Sequence, residues 1–111
     1  MAETALPDCL LIVTARIDPD REAEWNRWYN EVHLPESLAC PGVLAGRRYL
    51  ASGPAATSDH GGRAEDAART YVAVYELAGP EALETPEFAA MRGWYQFADG
   101  IVSRTQVFQA L

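Results

Sequence analysis

Two short segments of the chain are almost wholly apolar, and each has the length of a β-strand. Cys9 to Ala15 reads CLLIVTA, and Arg69 to Leu77 reads RTYVAVYEL. A strand that is apolar on both of its sides is typical of the centre of a sheet that is covered on both faces. The fold must therefore supply flanking strands and a cover for each face.

Two further segments supply the flanking strands. Val43 to Ser52 and Ile101 to Ala110 have strand length, but they mix apolar residues with Arg, Ser and Gln. Half-polar strands of this kind are typical of a sheet edge that faces water. Residues 53–69, which include His60, show no helical or strand periodicity and predict a long loop. This loop is expected to be a solvated segment, a lid over a site or an oligomer contact.

Helix signals follow the first and third strands. Asp18–Pro19 supplies an N-cap and a first helical residue. The helix that starts there is predicted to run to about Leu34, because Pro35 disfavours its continuation. Thr85 caps a second predicted helix, and Gly100 ends it.

The predicted order is β-α-β-β-α-β within a single domain over residues 1–111. It corresponds to an α+β, ferredoxin-like fold, with a four-stranded antiparallel sheet and two helices on one face. In this fold the first and third strands are central. The second face of the apolar strands then has no cover, and sheet-to-sheet packing in a homodimer is the simplest way to bury it.

Composition argues against several classes of function. The net charge of −7 disfavours a nucleic-acid partner, which needs a basic surface. All 9 basic residues are Arg, which excludes a Schiff-base lysine and pyridoxal phosphate chemistry. No apolar run approaches the ~18 residues of a membrane span, and the start has no signal-peptide pattern, so we expect a cytoplasmic protein. The spacing of Cys, His and Glu predicts no metal site.

The first predicted helix carries two stripes of side chains, within and just before the segment EWNRWYNEVHLPES at residues 24–37. At about 100° per residue, Trp25, Trp28 and Val32 form an apolar stripe that packing against a sheet explains. A polar stripe along its edge consists of Glu22, Asn26, Tyr29 and His33, at i, i+4, i+7 and i+11. A few hydrogen-bonding groups beside an apolar surface are typical of a small-molecule pocket.

His33 is the proton-transfer candidate in the polar stripe, because the reference pKa of histidine lies near neutrality. In the last turn of a helix, the dipole favours the protonated ring and burial favours the neutral one. The competing interpretation is a histidine that binds the free carbonyls of its own helix end. A ring against a pocket and a ring on a closed helix end are therefore the two structural alternatives.

The run WNRWYNEVHLP, followed by PGV and then RRY, resembles the dimeric α+β barrel superfamily and, within it, EthD-like proteins of ethyl tert-butyl ether degradation. The motif covers residues 24–49, and the element order agrees over the whole chain. The resemblance implies a homodimer whose two sheets form a barrel, with a pocket between helices and sheet in each subunit. It also implies that His33 is the motif histidine, accompanied by Trp25, Trp28 and Tyr29.

These observations predict a small cofactor-independent enzyme that acts on a hydrophobic, aromatic or polyketide-like molecule as a cyclase, isomerase, lyase or monooxygenase. His33 is expected to move a proton, while Tyr29 and Asn26 stabilise charge on oxygen. The expected substrate-binding residues are Asn26, Trp25, Trp28, Glu22, Arg48, Tyr71, Tyr75 and Trp94. Two alternatives stay open: a non-catalytic dimeric binding or stress-associated protein, and a haem-handling member of the fold.

Overall fold

The computed structural model describes residues 5–56 and 69–111, so most of the predicted loop at 53–69, with His60, lies outside the described residues. All four predicted strands are present. They are β1 (Cys9–Ile17), β2 (Val43–Leu50), β3 (Tyr71–Leu77) and β4 (Ile101–Gln109). They pair antiparallel in the order β2-β3-β1-β4. The predicted ferredoxin-like α+β fold, with the first and third strands in the centre, is therefore confirmed.

Strand alternation decides which side chains face the helices. In the register of the sheet, Leu11 lies opposite Tyr75 and Val13 lies opposite Ala73, so these residues share one face. The buried residues of this face are Cys9, Leu11, Val13 and Ala15 of β1 and Tyr71, Ala73, Tyr75 and Leu77 of β3. Trp25 and Phe97, both 0% exposed, fill the layer between this face and the helices.

The opposite face of the sheet, called here the outer face, combines apolar side chains with charged ones, which include Arg16, Arg47, Glu76 and Arg104. Leu10 of β1 lies opposite Phe108 of β4, and Tyr49 of β2 lies opposite Val72 of β3. Phe108 is 44% exposed and Tyr49 is 53% exposed. In the described parts of the chain no helix packs over this face, which is the one for which a second copy was predicted.

The first helix is longer and less regular than predicted. It consists of α1 (Glu22–Trp28), a π turn (Tyr29–His33) and α2 (Leu34–Leu38) without a break. In the π turn the Leu34 N–H binds the carbonyl of Tyr29, five residues back. Pro35 then lies inside this continuous helix, directly after the π turn. The predicted end of the helix at about Leu34 is therefore wrong.

The π turn also changes which side chains face the sheet. Trp25, Tyr29, His33 and Ser37 follow one another at intervals of four, and all are buried. In a regular α-helix this spacing would drift by about 40° per step, and the wider turn removes the drift. Val32, predicted to be part of the apolar stripe, is 42% exposed because the turn rotates it toward solvent.

The second long helix is shorter than predicted. Its start is as expected, since the Thr85 hydroxyl accepts a hydrogen bond from the Phe88 N–H at 3.1 Å and caps α3 (Pro86–Met91). The helix ends there and not near Gly100, because the chain turns away at Gly93, with φ of 112°. Three 3-10 turns complete the regular elements of the described chain: Pro19–Arg21, Pro80–Glu84 and Tyr95–Phe97. None of the described helices is long and apolar enough to cross a membrane.

Candidate small-molecule site

A cavity of about 210 Å³ lies between the helices and the buried face of the sheet. Its lining is mostly aromatic and aliphatic. The rings are those of Tyr29, His33, Tyr75, Phe88 and Trp94, and the aliphatic residues are Leu11, Val13, Val43 and Met91. Ser37 and Thr105 add hydroxyl groups. Apolar walls with a few polar groups are the usual composition of a small-molecule site.

His33 lines this cavity with a ring that other rings hold in place. It stacks on Trp28, with ring centres 4.6 Å apart and 17° between the planes. Tyr29 meets it edge-on at 4.8 Å. Because the helix continues through α2, His33 does not lie at a helix end, and its carbonyl accepts a hydrogen bond from the Ser37 hydroxyl at 2.7 Å. Of the two structural alternatives for His33, the structure shows the one in which the ring lies against a pocket.

The protonation state of His33 is set by burial. Burial lowers the pKa of the ring to about 4, and the positive charge of Arg48 adds to the effect. The helix dipole does not oppose this, because the last carbonyls of the helix lie one turn further on, in α2. At neutral pH the ring is therefore neutral, and one of its nitrogens is able to accept a proton.

Two phenols form a pair in the wall of the cavity. The hydroxyl oxygens of Tyr29, on the π turn, and Tyr75, on β3, are 2.8 Å apart. One hydroxyl donates to the other, so one hydrogen remains that the pair itself does not use. Burial raises the pKa of both phenols, and both stay protonated at neutral pH. The pair therefore has one hydrogen to donate, either to an oxygen in the cavity or to the Ser37 hydroxyl, which also forms a hydrogen bond with Tyr75.

Gly46 on β2 makes room for the ring of Tyr75. A Cβ at this position would lie 2.5 Å from Cδ1 of Tyr75, closer than carbon atoms approach in proteins. The ring can therefore lie against the backbone of β2 only because the residue is glycine. Sequence analysis did not identify this position, although a glycine inside a strand often marks such a close approach.

Trp94 reaches the cavity from the irregular segment after α3. Its indole N–H donates to the Ser103 hydroxyl of β4 at 3.0 Å, which holds the ring over the sheet. Tyr95 follows with φ of 52°, a left-handed conformation that costs roughly 1–3 kcal/mol in a residue with a side chain. Tyr95 itself does not line the cavity: it is 72% exposed, and its ring stacks on that of Trp28.

Two members of the predicted polar stripe lie beside the cavity, in a hydrogen-bonded network. The Asn26 amide donates to the Tyr71 hydroxyl at 2.8 Å, and this hydroxyl donates to the Glu22 carboxylate. The same carboxylate accepts a hydrogen bond from Arg69 Nε at 2.6 Å. The hydrogen bond from Tyr71, followed by that from Arg69, lowers the pKa of Glu22. The network ties α1 to β3.

Arg48 connects β2 to the first helix. Its guanidinium donates to the side-chain oxygens of Asn26 at 2.7 Å and of Asn30 at 2.8 Å. Its central carbon lies 4.2 Å from the centre of the Tyr29 ring and 4.9 Å from that of Trp25. Each such cation–π contact contributes about 0.5–2 kcal/mol. Arg48 therefore holds the Tyr29 ring and the start of the π turn in position without lining the cavity.

The structure divides the predicted site residues into two groups. Those that line the cavity are His33, Tyr29, Tyr75 and Trp94. Those that do not are Trp25 in the core, Trp28 behind the His33 ring, and Glu22, Asn26, Arg48 and Tyr71 in the adjacent network. In a regular helix the side chains of Trp25 and His33 would point in directions about 80° apart around the helix axis. The π turn brings the two directions together, and it thereby turns His33 away from Asn26.

The cavity also contains residues that the sequence did not single out for it. Ser37 comes from α2, a segment predicted to lie outside the helix, and Met91 comes from the last residue of α3. Thr105 comes from the edge strand β4. No group of three side chains suited to a metal ion occurs in the described residues, and the thiols of Cys9 and Cys40 are buried and unpaired.

Several solved structures share this fold at low sequence identity. HapK from Hahella chejuensis is 18% identical over 93% of this chain and 92% of that chain, with a TM-score of 0.63. An EthD family protein from Bacillus halodurans is 13% identical over 93% of this chain and 99% of that chain, with a TM-score of 0.58. SnoaB from Streptomyces nogalater, a cofactor-independent oxygenase, is 16% identical over 94% of each chain, with a TM-score of 0.57.

Comparison of sequences alone detects none of this similarity. No family model matches the chain, and no curated protein is similar to it. At these identities the structural similarity concerns the fold. The chain has the fold of an EthD family protein and of a cofactor-independent oxygenase, as the motif around His33 had indicated.

Proposed function

We propose that the cavity binds a hydrophobic aromatic molecule and that His33 removes a proton from it as a general base, in an enzyme without a resident cofactor. The observation that carries this proposal is the neutral His33 ring in the cavity wall, next to the Tyr29–Tyr75 pair. Both groups required for enolisation, a base and a donor to oxygen, are thus present in one apolar site.

The proposed step is the transfer of a proton from an acidic C–H or O–H of the bound molecule to the free nitrogen of His33. The electron pair of the broken bond stays on the molecule, as an enolate or phenolate. The unused hydrogen of the Tyr29–Tyr75 pair donates to the resulting oxyanion. The anion in turn raises the pKa of the neighbouring imidazolium above its value in the empty site, which favours the transfer.

Arg48 supports this step from behind the Tyr29 ring. Its positive charge lowers the pKa of His33 and opposes the rise that burial causes in the pKa of Tyr29. The same charge stabilises an anion in the cavity through the intervening ring. An enolate or phenolate formed in this way is a starting point for cyclisation, isomerisation, elimination or reaction with oxygen, so the proposal covers these reaction types.

We also propose that the enzyme is a cytoplasmic homodimer in which two copies pack through the outer face. The exposed rings of Phe108 and Tyr49 support this, because apolar residues of neighbouring strands form a continuous surface there. A shared fold with SnoaB supports the class of cofactor-independent enzymes.

The test is turnover by the purified protein with phenolic and enolisable aromatic ketones, followed by oxygen consumption and by hydrogen–deuterium exchange at the acidic position. We expect His33→Gln to reduce the rate by about 10²–10⁴-fold while keeping the fold. Val32→Ala, a change on the solvent side of the same turn, is the matched control. An unchanged rate in the His33 variant would refute the role of general base.

A binding protein without turnover is the second candidate. It is supported by the side-chain environment of His33, since within the described residues rings hold the imidazole and no hydrogen bond orients its nitrogens. Such a protein would bind the same molecules without converting them. His33→Gln would then change the binding affinity, and neither the wild-type protein nor the variant would show turnover. The haem-handling alternative gains no support, because a cavity of about 210 Å³ is below even the ~300 Å³ of sites for drug-sized ligands.

A further inference from the structure

We propose that the cavity selects planar, uncharged ligands of one or two fused rings that carry a hydroxyl or keto oxygen, and that it binds ligands of three rings more weakly. This inference rests on the proposed function of the same cavity and names the class of its substrate. It follows from the volume of the cavity, the charge of its lining and the contacts that fix its walls.

The volume sets the size of the ligand. A dry cavity of about 150 Å³ is sufficient for benzene, and sites for drug-sized molecules begin at about 300 Å³. The volume here, about 210 Å³, lies between these values. One ring fits with space to spare and two fused rings fill the space. A third ring has to displace a wall or project past the exposed Arg92, Gly93 and Thr105 into solvent, where it gains little contact.

Charge in the lining sets the polarity of the ligand. Of the described lining residues, only Arg92 carries a formal charge at neutral pH, and Arg92 is exposed. His33 is neutral in the wall of the cavity. A charged ligand would therefore lose its hydration without a direct ionic partner in the lining, since Arg48 acts only from behind the Tyr29 ring, and this disfavours it. An uncharged phenol, enol or ketone avoids this cost.

The hydroxyl or keto oxygen has one well-defined place in the cavity. The Tyr29–Tyr75 pair offers one hydrogen, and the His33 ring lies 4.8 Å from the Tyr29 ring, centre to centre. A ligand oxygen bound by the pair therefore lies in the part of the cavity that the imidazole of His33 also lines. The rings of Phe88 and Trp94 and the thioether of Met91 are left to contact the apolar body of the ligand.

Two of the walls are fixed by contacts outside the cavity, so the volume does not expand freely. The Trp94 indole is held by the Ser103 hydroxyl at 3.0 Å. The ring of Tyr75 is held against β2 at Gly46 and by its hydrogen bond to Tyr29. Moving either wall breaks a hydrogen bond, which is why the site discriminates by size.

The experiment is isothermal titration of the purified full-length protein with phenol, 1-naphthol and 1-anthrol in one buffer. We expect 1-naphthol to bind most tightly and 1-anthrol to bind at least tenfold more weakly. In Trp94→Ala the preference should shift toward 1-anthrol by at least tenfold, because one wall is removed. Met91→Ala serves the same purpose if the Trp94 variant loses its fold, and Val32→Ala should leave all three affinities unchanged.

The outcomes separate this inference from the proposed function. Equal or tighter binding of 1-anthrol to the wild-type protein would overturn the size limit and leave the pocket and its base intact. Binding of naphthalene, which has no oxygen, as tight as that of 1-naphthol, or an unchanged affinity for 1-naphthol in Tyr75→Phe, would overturn the role of the phenol pair. Failure of all three phenols to bind would contradict both the inference and the proposed function.

Discussion

The substitution Gly46→Ala should damage the site from outside it. The added Cβ would lie 2.5 Å from Cδ1 and 2.9 Å from Cε1 of Tyr75, whereas ordinary contacts begin at 3.4 Å. The ring must therefore move by about 0.9 Å, the difference between 2.5 Å and 3.4 Å. Since β2 lies on one side, the ring moves toward the cavity above β1. There it takes up part of the volume in which a second ligand ring would lie.

The energetic effect follows from the same displacement. Overpacking of a well-filled core costs about 1–3 kcal/mol. A displacement of this size also stretches the 2.8 Å contact between the hydroxyls of Tyr29 and Tyr75 toward the limit of a hydrogen bond. We expect Gly46→Ala to lower the free energy of unfolding by about 2 kcal/mol and to weaken 1-naphthol binding at least tenfold, with a smaller effect on phenol.

Urea denaturation and calorimetric titration measure these two quantities. Gly53→Ala is the matched control, because no atom lies within 4 Å of a Cβ at that position. The control should keep both the stability and the affinity of the wild-type protein. If Gly46→Ala matches the control in both measurements, the ring of Tyr75 is not fixed by β2, and the argument that the cavity has a fixed volume is refuted.

Three further perturbations test the electrostatics and the assembly. Arg48→Met should raise the pKa of His33 above its value of about 4, because a nearby positive charge is removed, and Arg47→Met on the other face of β2 should not; a proton NMR titration of the imidazole distinguishes them. Because the pKa of His33 is 6.5 unfolded and about 4 folded, the unfolded chain binds the extra proton between these values. The free energy of unfolding of the wild-type protein should then fall by up to about 3 kcal/mol as the pH falls from 6.5 to 4. Thermal unfolding of His33→Gln over the same pH range should not show this loss. Phe108→Glu places a charge on the outer face and should convert a dimer into monomers in analytical ultracentrifugation, whereas a wild-type monomer would contradict the proposed assembly.

The strands and the helix start were accessible to sequence reasoning because local rules determine them. The apolar runs of β1 and β3 are typical of central strands, and the Thr85 hydroxyl caps α3 by accepting a hydrogen bond from Phe88, three residues further on. The end of α3 was not accessible. The apolar spacing after Met91 fits a continued helix equally well, and the hydrogen bond from Trp94 to Ser103, nine residues on in β4, favours the turn.

The site was predicted in part for a similar reason. His33 and Tyr29 were identified because their side chains stand out on the helix, and both line the cavity. The division between the cavity and the network of Glu22 and Asn26 depends on the π turn, which a pattern of period 3.6 does not contain. Gly46 acts through its contact with Tyr75 on the neighbouring strand β3, 29 positions further along the chain, so its role required the sheet register.

The π turn has a consequence for how this chain relates to other proteins of its fold. A π turn is equivalent to one residue inserted into a regular helix. Loss of any one residue between Tyr29 and His33 would restore an α-helix and rotate the two halves by about 100° relative to each other. A relative with a regular helix would therefore match this chain only across a gap in the middle of that helix, where a gap is least expected. Its histidine could agree with His33 in sequence and still face a different side of the helix, so equivalence of the two residues has to be judged in three dimensions.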